Sequence, residues 1–249
     1  MTATACKQLA HQLRLFGIHA NFERRALESE SSSLHPCEYL ALLLEDEVEY
    51  RKQSVAKRLK TRARFGREAE LEEWDHGHDR GVTKTKLREL ASLGFHADKK
   101  NLILLGRTGE GKTHLAIAIG HRLCASGISV TFHTASLLFE EITAARVSGK
   151  YLAFLEAITK TSVLILDDFG LRTYTHAEAT SLLDILECRT GKGTTIITSQ
   201  IGVPGWAKLV EDRVVAEALV DRLSKPSLEI VLKGGSYRDR LGGKSMAAT

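Results

Sequence analysis

Apolar residues follow two different patterns along the chain, and the change falls close to Leu87. Beyond Leu87, short runs rich in β-branched residues predict five strands, at 101–105, 128–133, 163–166, 194–198 and 228–232. Segments of helical length lie between these runs and predict helices at 113–125, 135–147, 175–189 and 214–223. Alternating strands and helices are typical of a parallel sheet with helices on both faces. The pattern therefore predicts an α/β fold around a five-stranded parallel sheet.

The N-terminal quarter of the chain shows the helical period alone. An amphipathic helix is predicted from Thr4 to Phe16, and the turn-forming stretch ESESSSLHP separates it from a second helix that begins near Pro36. That second helix carries an apolar stripe that we expect to be buried, formed by Leu40, Leu44, Val48, Val55 and Leu59. These patterns predict an N-terminal helical region at 1–70, the α/β domain at 71–241 and a disordered tail at 242–249.

The composition excludes several classes of protein. The 249 residues are 43% hydrophobic and 27% charged with a net charge of +4, which is ordinary for a soluble globular protein. The four cysteines have no paired spacing, so we expect neither a disulfide framework nor a zinc motif, and a reducing compartment fits. No apolar run is long enough to span a bilayer, and no secretory segment opens the sequence. We therefore expect a cytoplasmic protein without a membrane partner.

The stretch GRTGEGKTH follows the first predicted strand and opens the next helix. It satisfies the phosphate-loop pattern G-x-x-x-x-G-K-[ST], in which glycines let successive backbone N–H groups cradle phosphate oxygens. Lys112 is expected to reach the β- and γ-phosphates, and the Thr113 hydroxyl to ligate Mg²⁺. The alternative is a glycine-rich turn with an ordinary surface lysine. The strand before the loop and the helix after it make this alternative the weaker interpretation. The predicted nucleotide-binding residues are Gly106, Arg107, Thr108, Gly109, Glu110, Gly111, Lys112, Thr113 and His114.

Two further predicted strands end in polar residues that point to hydrolysis. SVLILDDFG places Asp167 and Asp168 at the end of an apolar strand, where ligands gather in a parallel sheet. Asp167 is expected to hold Mg²⁺ together with Thr113, and Asp168 to orient the attacking water. A solvated turn is the alternative for both acids. If the strand TTIITSQ lies between the other two, Gln200 approaches the γ-phosphate; a strand-end amide with satisfied hydrogen bonds is the alternative there.

With these residues in place, the chain resembles the IstB-like family of AAA+ ATPases, the transposition helpers of insertion sequences. The resemblance includes NLILLGRTGEGKTHLAIAIG, LILDDFG, TTIITSQ, EALVDRL and LKGGSYRDRL, and it extends more distantly to DnaC-type helicase loaders. It implies a P-loop AAA+ core, ATP and Mg²⁺ as cofactors, and a homo-oligomer with ATP between subunits. It also implies two partners, double-stranded DNA and the transposase of the same element.

The resemblance completes a catalytic set of Lys112, Asp168, Gln200, Arg222 and Arg238. It implies that Arg222 is an arginine finger for a neighbouring subunit's ATP and that Arg238 senses the γ-phosphate within its own chain. An always-charged planar guanidinium suits both roles. The alternatives are a helix-terminal arginine for Arg222 and a plain surface arginine for Arg238. Asp168 replaces the family's more usual Glu, so we expect slow hydrolysis, and Arg107 and Thr108 replace a frequent Pro-Pro pair.

A basic run in the second predicted helix is the candidate DNA surface, formed by Arg51, Lys52, Lys57, Arg58, Lys60, Arg62, Arg64 and Arg67. Several neutralised phosphates would give salt-sensitive binding without sequence preference. A solvated helix face is the alternative from charge alone, and the resemblance favours DNA, with Lys150 and Arg172 as possible additions. The segment 6–22 is expected to be an inter-subunit clasp, a transposase dock or a helix packed on its own core.

Several competing functions remain open from the sequence. The cluster of Asp75, His76, His78 and Asp79 suggests a metal site, but nothing else in the sequence completes one.

A helicase loader would use the same core with another partner segment. A small-molecule phosphotransferase would need a second substrate pocket and an arginine-rich lid, and a non-catalytic switch would bind ATP without turnover.

Overall fold

The computed structural model describes residues 2–74 and 80–235. Contacts between residues divide the chain into two units, Met1–Arg58 and Leu59–Thr249. The division falls inside one long helix, and the domain boundary placed at residue 70 stays a prediction. The tail at 242–249, Arg238 and the Asp75–Asp79 cluster lie outside the described residues.

The first unit is helical, as the sequence predicts. Its elements are α1 (Ala3–Gln12), α2 (Phe16–Ser32) and the larger part of α3 (Pro36–Ala63). The chain breaks twice rather than once, because Arg14 takes a left-handed conformation with a φ of 59° between α1 and α2. The start of α3 at Pro36 is confirmed, whereas most of the stretch predicted as a turn before it is the end of α2.

α3 turns a different face towards α2 than its apolar stripe predicts. Gly17 lies so close to α3 that an added Cβ would stand 2.5 Å from the carbonyl oxygen of Asp46. At this crossing the Glu47 carboxylate accepts hydrogen bonds from the N–H groups of Gly17 and Ile18, at 2.7 and 3.3 Å. Glu47 thereby caps a helix whose own N-cap residue makes no side-chain bond. The predicted burial was wrong for four members of the stripe, which are exposed: Leu40, Leu44, Val48 and Val55.

The second unit has the predicted α/β fold. Its strands are β1 (Asn101–Leu105), β2 (Val130–Thr134), β3 (Val163–Phe169), β4 (Thr194–Ser199) and β5 (Ser227–Val231). Its helices after α3 are α4 (Lys84–Ala91), α5 (Gly94–Ala97), α6 (Lys112–Ala125), α7 (Ala135–Val147), α8 (Tyr151–Lys160), α9 (His176–Arg189), α10 (Val203–Trp206) and α11 (Arg213–Ser224). All five strands and the four helices predicted between them are confirmed. The helix α8 was missed because a single-glycine turn joins it to α7.

The five strands are parallel in the order β2-β3-β4-β1-β5. Alternate residues of β1 enter different cores, since Leu102 and Leu104 pack with α4 and α6, whereas Ile103 and Leu105 pack with α7, α9 and α11. Helices therefore cover both faces, as expected for strands that are apolar throughout. β4 lies between β1 and β3, so the carboxyl ends of these three strands adjoin. Among the helices of the described residues, none combines the length and apolarity needed to cross a bilayer.

Candidate active site

Polar side chains converge where β1, β3 and β4 end. β1 leads into the loop 106–111, β3 carries the two aspartates directly before its last residue, and β4 ends in a threonine and a serine that a glutamine follows. In parallel sheets ligands bind outside the carboxyl ends of the strands. β4 lies between β1 and β3, which is the arrangement in which Gln200 was expected to approach the γ-phosphate.

The loop 106–111 is held in a compact curve by its own polar groups. Gly109 and Gly111 have φ values of 86° and 96°, which residues with a side chain rarely adopt. Glu110 is buried and accepts a hydrogen bond from the Arg107 N–H at 2.5 Å. The ammonium of Lys112 donates to the Arg107 carbonyl oxygen at 2.9 Å, and the Lys112 side chain is buried. The loop thus presents a lysine and the first turn of α6 at one place.

Asp167 connects this loop to the other two strands. Its Oδ1 accepts hydrogen bonds from the Thr113 hydroxyl at 3.0 Å and from the Thr198 hydroxyl at 2.5 Å. The side chain is 3% exposed, and burial raises the pKa of the Asp167 carboxyl above its ordinary value. The neighbouring Asp168 raises this pKa further, while the two hydroxyl donors lower it. A buried carboxylate beside a second one is a favourable place for a cation.

Asp168 and Gln200 face the same space from the ends of β3 and β4. Asp168 is half-buried and has a left-handed φ of 56°. Gln200 is exposed, and its Oε1 accepts a hydrogen bond from the Thr108 hydroxyl at 3.0 Å. The predicted water-orienting acid and the predicted γ-phosphate contact therefore border one cavity with the phosphate loop.

This cavity has a volume of about 740 Å³, within the usual range for small-molecule sites. Part of its wall comes from residues that sequence reasoning missed or assigned elsewhere, namely Arg67, Trp74, Arg80 and Leu171. A Cβ on Gly111 would lie 3.3 Å from the Trp74 ring, and the Arg80 guanidinium lies 5.2 Å from the centroid of that ring. The segment before β1 thus supplies a flat aromatic wall beside the phosphate loop. No periodic pattern in the sequence marks these positions.

His114 lies in the same wall, 6.2 Å from Trp74 between ring centroids. Burial lowers the pKa of His114, and the positive charge of Arg67 lowers it further. A neutral imidazole at pH 7 follows, which suits a neighbour of the nucleotide rather than a permanent charge.

The residues present fit a magnesium–nucleotide complex. Thr113 and Asp167 bring a hydroxyl and a carboxylate oxygen within 3.0 Å of each other. Mg²⁺ prefers such oxygen ligands and takes its remaining ligands from water and phosphates. The loop N–H groups, Lys112 and the positive end of α6 complement the charge of a triphosphate.

Arg222 lies at the opposite end of the sheet from this site. Its backbone carbonyl accepts a hydrogen bond from Asn101 Nδ2 at 3.0 Å, and Asn101 is the first residue of β1. The guanidinium is partly exposed and lies 3.6 Å from Glu187 and 3.7 Å from Asp221. The length of β1, roughly 13 Å, separates this position from the phosphate loop of the same chain.

The predicted DNA-binding residues are divided between the two units. Arg51, Lys52, Lys57 and Arg58 are exposed in the first unit, where Arg51 pairs with Glu47 at 2.7 Å. In the second unit, Lys60 lies 3.9 Å from Glu68 and Arg64 lies 3.6 Å from Glu141, and Arg62 is exposed. Arg67 is also exposed, and it lines the nucleotide cavity. Of the two suggested additions, Lys150 is exposed and Arg172 is paired with Glu178 at 2.6 Å.

A second cavity, of about 880 Å³, lies beside the edge strand β2. His133, Glu141 and Lys160 border it together with apolar residues of α7 and α8. It contains neither a phosphate loop nor a pair of strand-end carboxylates. The smaller cavity is therefore the candidate active site.

Comparison with known proteins agrees with this geometry. The family model described as "IstB-like ATP binding protein" matches residues 8–245. An insertion-sequence ATP-binding protein of Sinorhizobium fredii is 33% identical over 234 residues, covering 93% of this chain and 94% of the relative. An ATP-binding protein in an insertion sequence of Mycobacterium tuberculosis is 32% identical over 238 residues, covering 95% and 94%.

Solved structures give the same fold. The DnaI structure has a TM-score of 0.57 at 25% identity, covering 72% of this chain and 98% of that one. The DnaC helicase loader has a TM-score of 0.54 at 25% identity, covering 66% and 97%. AMPPCP-bound DnaA from Aquifex aeolicus has a TM-score of 0.54 at 17% identity, covering 73% and 55%, and it supports the fold alone. The P-loop AAA+ core expected from the sequence is confirmed.

Proposed function

This chain belongs to the IstB-like family of ATP-binding proteins, and from that premise we propose that it is a Mg²⁺-dependent ATPase that assembles on duplex DNA and assists a transposase. The observation that carries the proposal is the convergence at Asp167. Its Oδ1 accepts hydrogen bonds from the hydroxyls of Thr113 and Thr198, beside a cavity lined by Lys112 and Asp168. This convergence of residues from three strand ends supports binding of a triphosphate and action on its outer phosphate.

Binding begins with the phosphate loop. Its N–H groups and Lys112 hold the β- and γ-phosphates, and Lys112 exchanges its bond to the Arg107 carbonyl for phosphate oxygens. Thr113 and Asp167 would hold Mg²⁺, which when bound neutralises charge that develops on the phosphates. Trp74 and His114 border the same cavity and give it an aromatic wall.

Hydrolysis needs a positioned water. Asp168 is half-buried at the cavity wall, and its carboxylate orients the water and accepts hydrogen bonds from it. Gln200 lies across from it on the Thr108 hydroxyl and contacts the γ-phosphate side of the site. Since the shorter Asp168 replaces a glutamate, turnover is slow.

The site is completed by a second copy of the chain. Arg222 lies at the far end of the sheet from its own phosphate loop and is partly exposed. Its guanidinium can therefore serve an ATP only in a neighbouring subunit, where it stabilises charge on the transferred phosphate. ATP between subunits links nucleotide state to assembly, so binding favours the oligomer and hydrolysis favours its release.

DNA binding is assigned to the exposed basic residues of α3, repeated across the subunits of the oligomer. The relatives support a transposase partner, since they are named for their place in insertion sequences. The first unit offers a helical surface for that partner, and the whole process belongs in the cytoplasm.

Electron microscopy with duplex DNA tests the assembly directly. Wild-type protein with ATP and Mg²⁺ is expected to form ordered oligomers on the duplex, and the same protein with ADP is not. Lys112→Ala, which removes the phosphate-binding ammonium, is the matched control and should leave the DNA bare in either nucleotide. Protein that stays a single protomer with ATP, Mg²⁺ and long DNA would contradict the proposal.

A helicase-loader function is a second candidate because DnaI and the DnaC helicase loader share the core at 25% identity. Both candidates use the ATPase site in the same way. Affinity capture with the full chain and ATP separates them: a transposase supports the proposed function, and a replicative helicase supports the second candidate.

A further inference from the structure

β3 contains a bulge at the two aspartates of the site. The pairing of β3 with β4 shifts register between Leu166 and Phe169. As a result Asp167 and Asp168 of β3 both stand opposite one residue of β4, Thr198. Bulges redirect side chains and are frequent next to active sites.

The single hydroxyl of Thr198 contacts both aspartates. It donates to Asp167 Oδ1 at 2.5 Å and accepts a hydrogen bond from the Asp168 N–H at 3.0 Å. A hydroxyl has one donor and two lone pairs, so both bonds can exist at once. Thr198 is fully buried, at 0% exposure, and cannot itself reach the cavity.

This contact explains why two neighbouring acids serve one site. In a regular strand, successive side chains point to opposite faces of the sheet. Here Asp168, in the bulge, has a left-handed conformation with a φ of 56° and lines the cavity, while Asp167 stays buried against Thr113. Few residues other than glycine adopt this conformation, and the bond from the Asp168 N–H to Thr198 stabilises it.

We propose that Thr198 is a positioning residue for ATP hydrolysis, which fixes the directions of both acids through one buried hydroxyl. The proposal rests on the proposed function, because it assumes that Asp168 acts on water. Thr198 is buried and does not line the cavity, so it acts only through Asp167 and Asp168.

The surrounding structure allows the hydroxyl to be removed without unfolding the strand end. Ser199 donates to the Phe169 carbonyl at 2.8 Å, and the Gly170 N–H donates to the Tyr174 hydroxyl at 2.7 Å. These bonds hold the chain directly after the bulge. Loss of the Thr198 hydroxyl should therefore release Asp168 while β3 and β4 stay paired.

The test compares Thr198→Val, which keeps the shape, with Thr198→Ser, which keeps the hydroxyl. For Thr198→Val we expect kcat to fall at least about tenfold. The Kd for ATP should change less than about threefold, because Asp167 keeps its hydrogen bond from Thr113 and the phosphate loop is untouched. Thr198→Ser should recover kcat to within about threefold of wild type. Thr194→Val is the control: this buried threonine at the other end of β4 contacts His96 at 3.0 Å, and its loss should leave kcat within about twofold.

Amide exchange of the nucleotide-free protein, followed by NMR, gives a readout independent of activity. The Asp168 N–H should exchange at least about tenfold faster in Thr198→Val than in wild type, and Thr198→Ser should restore its protection. The Ile197 N–H, within the paired part of β4, should not change.

Two outcomes overturn different statements. Unchanged kcat or unchanged Asp168 exchange in Thr198→Val, beside an active wild type, overturns the role of Thr198 and leaves the proposed ATPase intact. A wild-type protein that binds ATP but never hydrolyses it overturns the proposed function, and the positioning role with it, even where the exchange result is as expected.

Discussion

The two ends of the parallel sheet both bury polar side chains, but they use them differently. At the amino end, Arg189 is 2% exposed and its guanidinium donates to four backbone carbonyl oxygens, those of Ile158, Thr161, Ser162 and Thr194, at 2.6–3.3 Å. At the carboxyl end, Thr113 and Asp167 bond to each other beside a cavity.

The two ends differ in the hydrogen-bond partners of their buried polar groups. Arg189 joins the segments that lead into β3 and β4, and burial lowers its pKa to about 10, so it keeps its charge at neutral pH. Such a residue stabilises the fold. The carboxyl-end groups bond mainly to side chains that can exchange partners when a ligand arrives. We expect changes at the first end to alter stability and changes at the second to alter turnover.

Arg222 is the apparent exception, because it lies at the amino end and yet is assigned to catalysis. Arg222→Ala should lower ATP turnover by about 10³-fold, the scale of an arginine finger, with little change in the midpoint of thermal unfolding. Steady-state ATPase assays in the presence of duplex DNA measure it. Arg213→Ala is the control, since Arg213 is on the same helix and makes an exposed pair with Glu217 at 2.8 Å.

Mixing two inactive variants decides whether Arg222 acts on a neighbour. Asp168→Asn keeps ATP binding, assembly and Arg222 but lacks the acid that orients the water, and Arg222→Ala has the converse defect. An equal mixture should recover about a quarter of the wild-type rate, because one interface in four then joins an intact pocket to an intact arginine. A mixture as inactive as its components would remove the exception and return Arg222 to a structural role.

Arg189→Met tests the structural end. Four carbonyl oxygens lose a buried donor, and we expect the free energy of unfolding to fall by about 4 kcal/mol and the melting midpoint by about 10 °C. ATP affinity of the folded protein should change less than about twofold, since the length of β4, roughly 17 Å, lies between. Urea unfolding and nucleotide titration measure the two quantities.

Lys192→Met is the matched control for Arg189→Met, because Lys192 is exposed on the turn directly after α9. Its free energy of unfolding should stay within about 0.5 kcal/mol of wild type. A loss of ATP binding in Arg189→Met with unchanged stability would break the division between the two ends.

Much of the carboxyl end of the sheet could be predicted from the sequence because its signals are local. The strand β1 was predicted at its observed bounds, and the phosphate-loop pattern identifies Lys112 and Thr113 directly. The apolar run before Asp167 marks a strand end, and strand ends of a parallel sheet adjoin. That Thr113 and Asp167 meet follows from these facts together.

The remaining parts depend on contacts between distant segments. Trp74 joins the cavity wall from a stretch without periodicity, and the two bonds of Thr198 require the register shift between β3 and β4. In α3, the buried face is selected by a close approach at Gly17 and by the capping carboxylate of Glu47. Neither feature is visible in a count of apolar positions.

Asp168→Asn tests whether the carboxyl end of the sheet acts on the attacking water. The amide keeps the size of the side chain and the backbone bond to Thr198 but cannot take up the proton from water, so turnover should fall by about 10²-fold. ATP affinity and ATP-dependent assembly on DNA should be retained. Asp98→Asn, an exposed acid paired with Lys100, is the control for the same chemical change. Turnover at the normal rate in Asp168→Asn would show that another group orients the water.

The smallest effect concerns a structural ion pair at the carboxyl end. Glu178 caps α9 and binds Arg172, and this hydrogen bond lowers the pKa of Glu178 from 4.5 to about 2. A lowered pKa stabilises the fold fully above pH 4.5, and this contribution is lost as the pH falls from about 4.5 to about 2. Because the pair is partly exposed, we expect about 2 kcal/mol at pH 7.

Urea unfolding of wild type and Glu178→Gln at several pH values measures this contribution. The difference in unfolding free energy should be about 2 kcal/mol at pH 7 and shrink towards zero near pH 2. Glu217→Gln, on the exposed pair with Arg213, should differ from wild type by less than about 0.5 kcal/mol throughout. Parallel curves for wild type and Glu178→Gln would mean that the carboxylate charge does not stabilise the turn after Asp168. The structural use of charge would then be confined to the amino end of the sheet, and the contrast between the two ends would be sharper.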